Sequence, residues 1–405
     1  MKPPKLLSDG MRFVFWIMLL VGVWTFYGGT SGPDPLRVWQ IFLVNFLFWS
    51  GLAQGGVVFA AVYDVVQAEW GASVRRLAQA MGAFLPVSFL LFFVLFQGAE
   101  TIFPWIRHPV PEKSAWLNIS FLFSRDAVGI FILYVTTFSY LYYALRPDMG
   151  AAHERNKAPD SLFQKLLTLS WRGLVSEQRR SRRFLLILTP FYLLVYTYIF
   201  SLLGFDLVMS LEPHFYSSLF GAYFFMSSFY GGIAATAVAA VCFSRRLAWS
   251  CPVARPQFQD LGKMLIAFCM VTGDFLWSQY AVIWYGNLPE ETVYVIKRTV
   301  APWDNVAFAV LFAAFLIPFV LLLFRRMKET PWALASVAML IIAGLWFERY
   351  LFVIPALWPG EGLPLSWPEL FITLGFFAAF LLSYVGFLAR LPAPEESACQ
   401  EKALA

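Results

Sequence analysis

Residues 37–66 read RVWQIFLVNFLFWSGLAQGGVVFAAVYDVV, thirty residues in which Arg37 and Asp64, one near each end, carry the only charges. A helix crosses about 30 Å of hydrocarbon with about 20 apolar residues, and it can do so because every backbone polar group is bonded inside the helix. This stretch is long enough to cross once. Nine others along the chain match it, giving ten expected spans at 11–28, 37–66, 77–104, 122–145, 184–203, 215–243, 261–285, 305–324, 332–353 and 370–389.

The composition agrees with that reading. The 405 residues are 60% hydrophobic, 19% aromatic and only 14% charged, with a mean hydropathy of +0.65. A soluble domain carries about 25% charged residues to wet its surface. The shortfall excludes a soluble enzyme, a disordered chain and a nucleic-acid binder, and leaves a multi-pass membrane protein. Lys2 and Lys5 before the first apolar run resemble a signal peptide, but the run is expected to be a retained span.

Orientation follows from the basic residues in alternate loops. With the N-terminus inside, the N-terminal segment and the segments 67–76, 146–183, 244–263, 325–331 and 390–405 hold 23 of the 30 Lys and Arg residues. Both termini are therefore expected in the cytoplasm. In the longest loop, 146–183, Leu162, Phe163, Leu166, Leu167, Leu169 and Leu174 alternate with Lys165, Arg172, Arg179, Arg180, Arg182 and Arg183. That pattern predicts one or two amphipathic helices lying on anionic lipid headgroups.

The chain also repeats itself. NFLFWSGLAQGG (45–56) aligns with YFFMSSFYGG (223–232) when the glycine pairs 55–56 and 231–232 are matched. Separately, Arg125-Asp126-Ala127-Val128 aligns with Trp303-Asp304-Asn305-Val306 at nearly the same offset. Repeats four spans apart run in the same direction. The expected architecture is all-α: two parallel four-helix bundles, spans 2–5 and spans 6–9, with spans 1 and 10 peripheral. The corresponding units are 1–36, 37–204, 205–353 and 354–405.

Asp274 lies well inside the seventh span, where an ionised carboxylate is costly unless it is protonated, hydrated or paired. Lys263 precedes it by eleven residues on one helical face, about 16 Å at 1.5 Å per residue. Ser278 and Gln279 follow close by. A proton path is expected through Asp274, Lys263, Ser278 and Gln279, with Asp64 at the cytoplasmic mouth and supporting hydroxyls at Thr136, Thr137, Ser139 and Tyr140 in the fourth span, Tyr192, Tyr196, Thr197, Tyr198 and Ser201 in the fifth, and Tyr216, Tyr223, Ser227, Ser228 and Tyr230 in the sixth. For any one of these hydroxyls a helix–helix hydrogen bond is the plainer reading.

On the outer side, Arg125, Asp126, Asp206, Glu212, His214 and Asp304 form a candidate proton exit or quinone site, with Glu100, Glu348 and Arg349 nearby in depth. The three histidines, His108, His153 and His214, lie in loops or at a span entrance. Haems inside a membrane subunit need imidazoles within helices, so no haem is expected. Cys242, Cys251, Cys269 and Cys399 form no close cluster, and neither an iron–sulfur centre nor a metal site is expected.

FDLVMSLEPHFYSSLFGAYFF (205–225), QDLGKMLIAF (259–268) and SQYAVIWYGNLPEET (278–292) resemble signatures of NrfD/polysulfide-reductase membrane subunits. They are most similar to the second, shorter NrfD-like subunit of bacterial alternative complex III, a quinol oxidoreductase that passes electrons to cytochrome c or an oxidase. The resemblance implies tandem four-helix bundles in a bacterial cytoplasmic membrane, with no haem or cluster in this subunit. It also implies a paralogous NrfD-like membrane partner, extracytoplasmic iron–sulfur and multihaem cytochrome c subunits, and proton half-channels, with Asp274 the residue matching that role. In the family, quinol is oxidised near the outer face beside a histidine and an acid, and here His214, Asp206 and Glu212 occupy that region. A quinol-oxidising subunit, a stand-alone secondary transporter and a purely structural anchor are the competing readings.

Overall fold

The computed structural model describes residues 6–68, 71–154, 165, 167–244, 246–247, 253–360 and 362–391. Ten helices in them are long and apolar enough to cross a membrane: α1 (Asp9–Thr30), α2 (Pro35–Val65), α3 (Ala72–Gln97), α4 (Ile119–Glu154), α5 (Leu174–Leu207), α6 (Ser218–Phe243), α7 (Arg255–Gly286), α8 (Trp303–Leu323), α9 (Pro331–Leu357) and α10 (Trp367–Leu388). Every expected span falls on one of them. No strand occurs among the described residues.

Local chemistry sets the ends. Proline stands in the first turn of α2, α7, α9 and α10, where its missing N–H costs nothing. Ser8 caps α1 by accepting the Met11 N–H at 3.2 Å. At α10, Glu369 accepts the Ser366 N–H at 2.8 Å and is also gripped by Arg37. This ties the start of α2 to the start of α10.

A helix that is apolar all round has no face to give to solvent and must be surrounded. That is the position of α2: Val38 to Ala61 form an unbroken buried run. It packs on α6 as extensively as any two helices in the molecule pack, and also on α3, α5, α9 and α10. Small residues allow the α2–α6 approach. A Cβ on Gly232 would stand 2.2 Å from the Gly55 carbonyl carbon, and one on Gly55 would stand 2.2 Å from the Ser228 carbonyl oxygen. The two glycine pairs aligned in the repeat therefore touch each other at this crossing.

Around this centre, α3 packs on α4 and α4 on α5; on the other side α6 packs on α7, α7 on α8, and α8 and α6 on α9. Helices α1 and α10 pack on each other through Gly22 and Gly375, and α10 rests on α2 and α3. Asn45 knits α2 to both flanks, donating to Thr373 at 3.0 Å and accepting from Trp346 at 3.2 Å. The buried core is continuous across residue 204, where the expected units meet.

Two spans depart from regular α-helix next to a proline. In α3, Ala80–Phe84 tightens to a 3₁₀ turn before Pro86. In α8, Leu311–Leu316 widens to a π turn before Pro318. Proline at 318 removes the N–H that the Ala314 carbonyl would take four residues on. Tyr230 on α6 fills that need, donating to the Ala314 oxygen at 3.1 Å.

The expected surface helices of 146–183 are corrected in part. Residues 146–154 continue α4 and 174–183 begin α5, while Leu162, Phe163 and Leu166 lie outside the described residues. Arg146 is buried: it pairs with Glu177 at 2.8 Å and donates to the Leu167 and Leu169 carbonyls at 2.8 and 3.0 Å. It closes the α4–α5 turn and does not face headgroups. Cys242 and Cys269 are free thiols; Cys251 and Cys399 lie outside the described residues.

Candidate functional site

Polar side chains inside this apolar core need partners, and those partners form a succession running from one end of the helices to the other. At the end of α2 that the charge pattern assigns to the cytoplasm, Asp64 is held by Arg75 at 2.6 Å and accepts the Tyr140 hydroxyl at 2.6 Å. The fully buried Tyr140 ring stacks on Tyr192 with centroids 5.7 Å apart. Gln54, with no exposed surface, donates to the Tyr192 hydroxyl at 2.7 Å and to Thr137 Oγ1 at 2.9 Å. Its Oε1 has no partner among the described residues.

One turn further along α5, Tyr196 donates to the Phe225 carbonyl of α6 at 2.7 Å. Arg349, 2% exposed, donates to Ser227 Oγ at 2.7 Å and Ser228 Oγ at 3.0 Å, and its guanidinium lies 4.1 Å from the Phe224 ring centre. Beside it Glu348 faces Arg349 Nη1 at 3.2 Å and accepts the Tyr223 hydroxyl. Glu348 Oε2 and Arg349 Nη1 keep open hydrogen-bonding positions.

The end of the succession away from Asp64 is on the short helix Pro289–Thr299. Tyr294 is buried there, stacked on Phe215 at 3.8 Å and covered by Arg298 at 3.4 Å. Its hydroxyl has no partner among the described residues. Burial pushes the phenol up to about 12, against the pull of the Arg298 cation. Arg298 pairs with Glu212 at 2.8 Å, and Lys297 approaches the same carboxylate at 3.7 Å near the surface.

A second buried group sits to one side. Arg125 grips Asp206 with two bonds of 2.6 Å, Trp116 donates to the same carboxylate at 2.9 Å, and the guanidinium lies 3.8 Å from the Trp116 ring centre. Asp126 is fully buried, and neither of its oxygens finds a donor among the described residues.

Of the expected outer residues, the fold thus brings Arg125, Asp126 and Asp206 together. Glu212 belongs to the Arg298 group instead. His214 is exposed, and Asp304 bonds only its neighbour Asn305 in the described contacts.

Of the expected proton path, Asp64 is in the interior succession and Tyr230 is buried beside it, engaged with α8. The other four are not assembled. Asp274 is exposed on the outward face of α7 and makes no hydrogen bond or ion pair with any described residue, so its expected burial is corrected. Lys263 is exposed and paired with Asp260 at 2.9 Å. Ser278, one turn on from Asp274, is half-buried, and Gln279 is buried on another face of that helix. The physical reason is azimuth: α7 buries Phe258, Leu261, Leu265, Cys269, Thr272, Gln279 and Ile283, and Asp274 points away from that stripe. Gln54, which links α2, α4 and α5, escaped the sequence reading, although an amide in a run with no charge for 26 residues is itself a signal.

Compared with known proteins, the chain matches no family profile and no curated relative.

Proposed function

We propose that this chain is a proton-conducting integral membrane subunit of a quinol oxidoreductase of the alternative complex III type, with both termini in the cytoplasm and two parallel four-helix bundles joined at the α2–α6 crossing. The observation that carries the reading is the set of polar groups Asp64–Tyr140, Tyr192–Gln54–Thr137, Tyr196, Tyr223–Glu348–Arg349 and Arg298–Glu212 spaced through an apolar interior. Hydroxyls and carboxyls both donate and accept, and the unfilled positions on Gln54, Glu348 and Tyr294 suit bridging water. The contact between repeat-related glycines supports a duplicated origin for the two bundles. The sequence resemblance supplies the redox setting, with a paralogous membrane subunit and outer iron–sulfur and multihaem cytochrome c subunits as partners.

The test is proton uptake by vesicles containing the purified native complex. Tyr192→Phe and Tyr140→Phe each keep the ring and remove the hydroxyl. Each is expected to slow proton translocation about tenfold or more, the kinetic equivalent of about 1.4 kcal/mol for one lost hydrogen bond, while electron transfer from quinol continues. Unchanged translocation in both variants ends the proposal.

A second reading, quinol oxidation near the outer face, is favoured by the unpartnered Asp126 carboxyl beside Asp206. It is separated in the same vesicles: Asp126→Asn would then stop electron transfer itself.

A further inference from the structure

The outward face of α7 carries a carboxylate in the middle of an apolar band. Met270, Val271, Trp277, Tyr280 and Trp284 are exposed around Asp274. Asp274 stands eleven residues past Lys263 and twelve before Gly286, so at about 1.5 Å per residue it lies near the helix centre, far from either headgroup layer. An aspartate is too short to snorkel, unlike Lys or Arg. Facing acyl chains, such a group is costly and has no local remedy, because Lys263 is engaged with Asp260.

We propose that this face of α7 is covered by a transmembrane helix of a different membrane protein, with a basic side chain set against Asp274. Charge complementarity selects the occupant. A second copy of this chain, related by a two-fold axis along the membrane normal, would bring residues of equal depth together. Among the described residues no exposed cation lies at the depth of Asp274: Arg349 is buried against Glu348, and Arg125 is bound to Asp206 near the outer end of α4. Two copies joined by this face would oppose one Asp274 to the other. The large exposed rings at Trp277 and Trp284, 64% and 67% exposed, supply the flat apolar surface on which a partner helix packs.

The inference is independent of the proton path, which does not use Asp274. The test places a photoreactive benzophenone side chain at position 270 or 277 in the native membrane, and the linked peptides are identified by mass spectrometry. The expected adduct is a spanning segment of another protein with Lys, Arg or His within one turn of the linked residue. Asp274→Leu should lower the adduct yield about tenfold or more, as when a buried pair loses one partner, and Asp274→Glu should restore it. The melting temperature of the purified chain in detergent should be the same for all three, since Asp274 touches nothing within the chain. Adducts only with lipid, with a second copy, or with a segment lacking a base overturn the proposal. So does a yield that Asp274→Leu leaves unchanged.

Discussion

Arg349 carries a full charge at 2% exposure, and every feature around it answers that fact. Glu348 balances the charge, two serines and the Phe224 carbonyl take its protons, and the Phe224 ring covers its face. Removing one member of such a pair strands the other, at a cost of about 3–5 kcal/mol; replacing both by neutral groups of similar volume costs far less. Arg349→Leu is therefore expected to lower the melting temperature of the purified protein sharply, and the double variant Glu348→Gln with Arg349→Leu to recover most of that loss. If the double variant is as unstable as the single one, the two charges are not a stabilising unit. Both residues were visible in the sequence as charges in an apolar run, but their partners on α6 were not. Hydropathy reports depth along a helix and says little about azimuth, which is set by the neighbours. Asp274 was misplaced for the same reason, although the stripe Leu261, Leu265, Cys269, Thr272, Gln279, Ile283 on α7 already marked the opposite face.

At the scale of elements, the ten helices were legible because span length and backbone satisfaction leave no alternative for a long apolar run. The glycine pairs were legible as a repeat but not as a contact, since alignment says which residues correspond and not which ones meet. In lipid, helices associate through close packing of small residues more than through hydrophobic burial, and the α2–α6 crossing depends on that. Gly232→Ala puts a methyl group into the backbone of Gly55 with no flexible side chain to yield, and overpacking of this kind costs about 1–3 kcal/mol. Gly386→Ala on α10, where nothing lies within 4 Å, is expected to be neutral or slightly stabilising. Melting curves in detergent compare the two directly. Equal stability for both variants would mean that α2 and α6 do not approach as closely as described. The irregular turns in α3 and α8 lie beside Pro86 and Pro318, and in α8 the neighbour that donates to the freed Ala314 carbonyl is Tyr230 on α6.

The whole molecule is organised around a helix that belongs to the first repeat by sequence and is enclosed in large part by the second. Sequence boundaries at 204/205 suggest two separable bundles, yet α2 is covered on one side by α6 and α9, and α5 also rests on α6. Cutting there would expose Gly51 and Gly55 on a helix that has no lipid-facing side, together with the buried amide of Asn45, whose partners Thr373 and Trp346 lie in the second half. Uncovered amides in hydrocarbon are costly, and the gap left by α6 is too narrow and too polar for acyl chains to fill well. Residues 1–211 expressed alone are therefore expected to insert but to remain protease-sensitive and polydisperse in detergent. Co-expression of 1–211 with 212–405 should yield a monodisperse, protease-resistant complex, because the break falls in the connection before α6 and the α2–α6 contact can form between chains. A stable, monodisperse first half on its own would show that the unit of folding is the single bundle. The polar succession, whose members pass from α2, α4 and α5 to α6 and α9, would then cross an interface and not be part of one core.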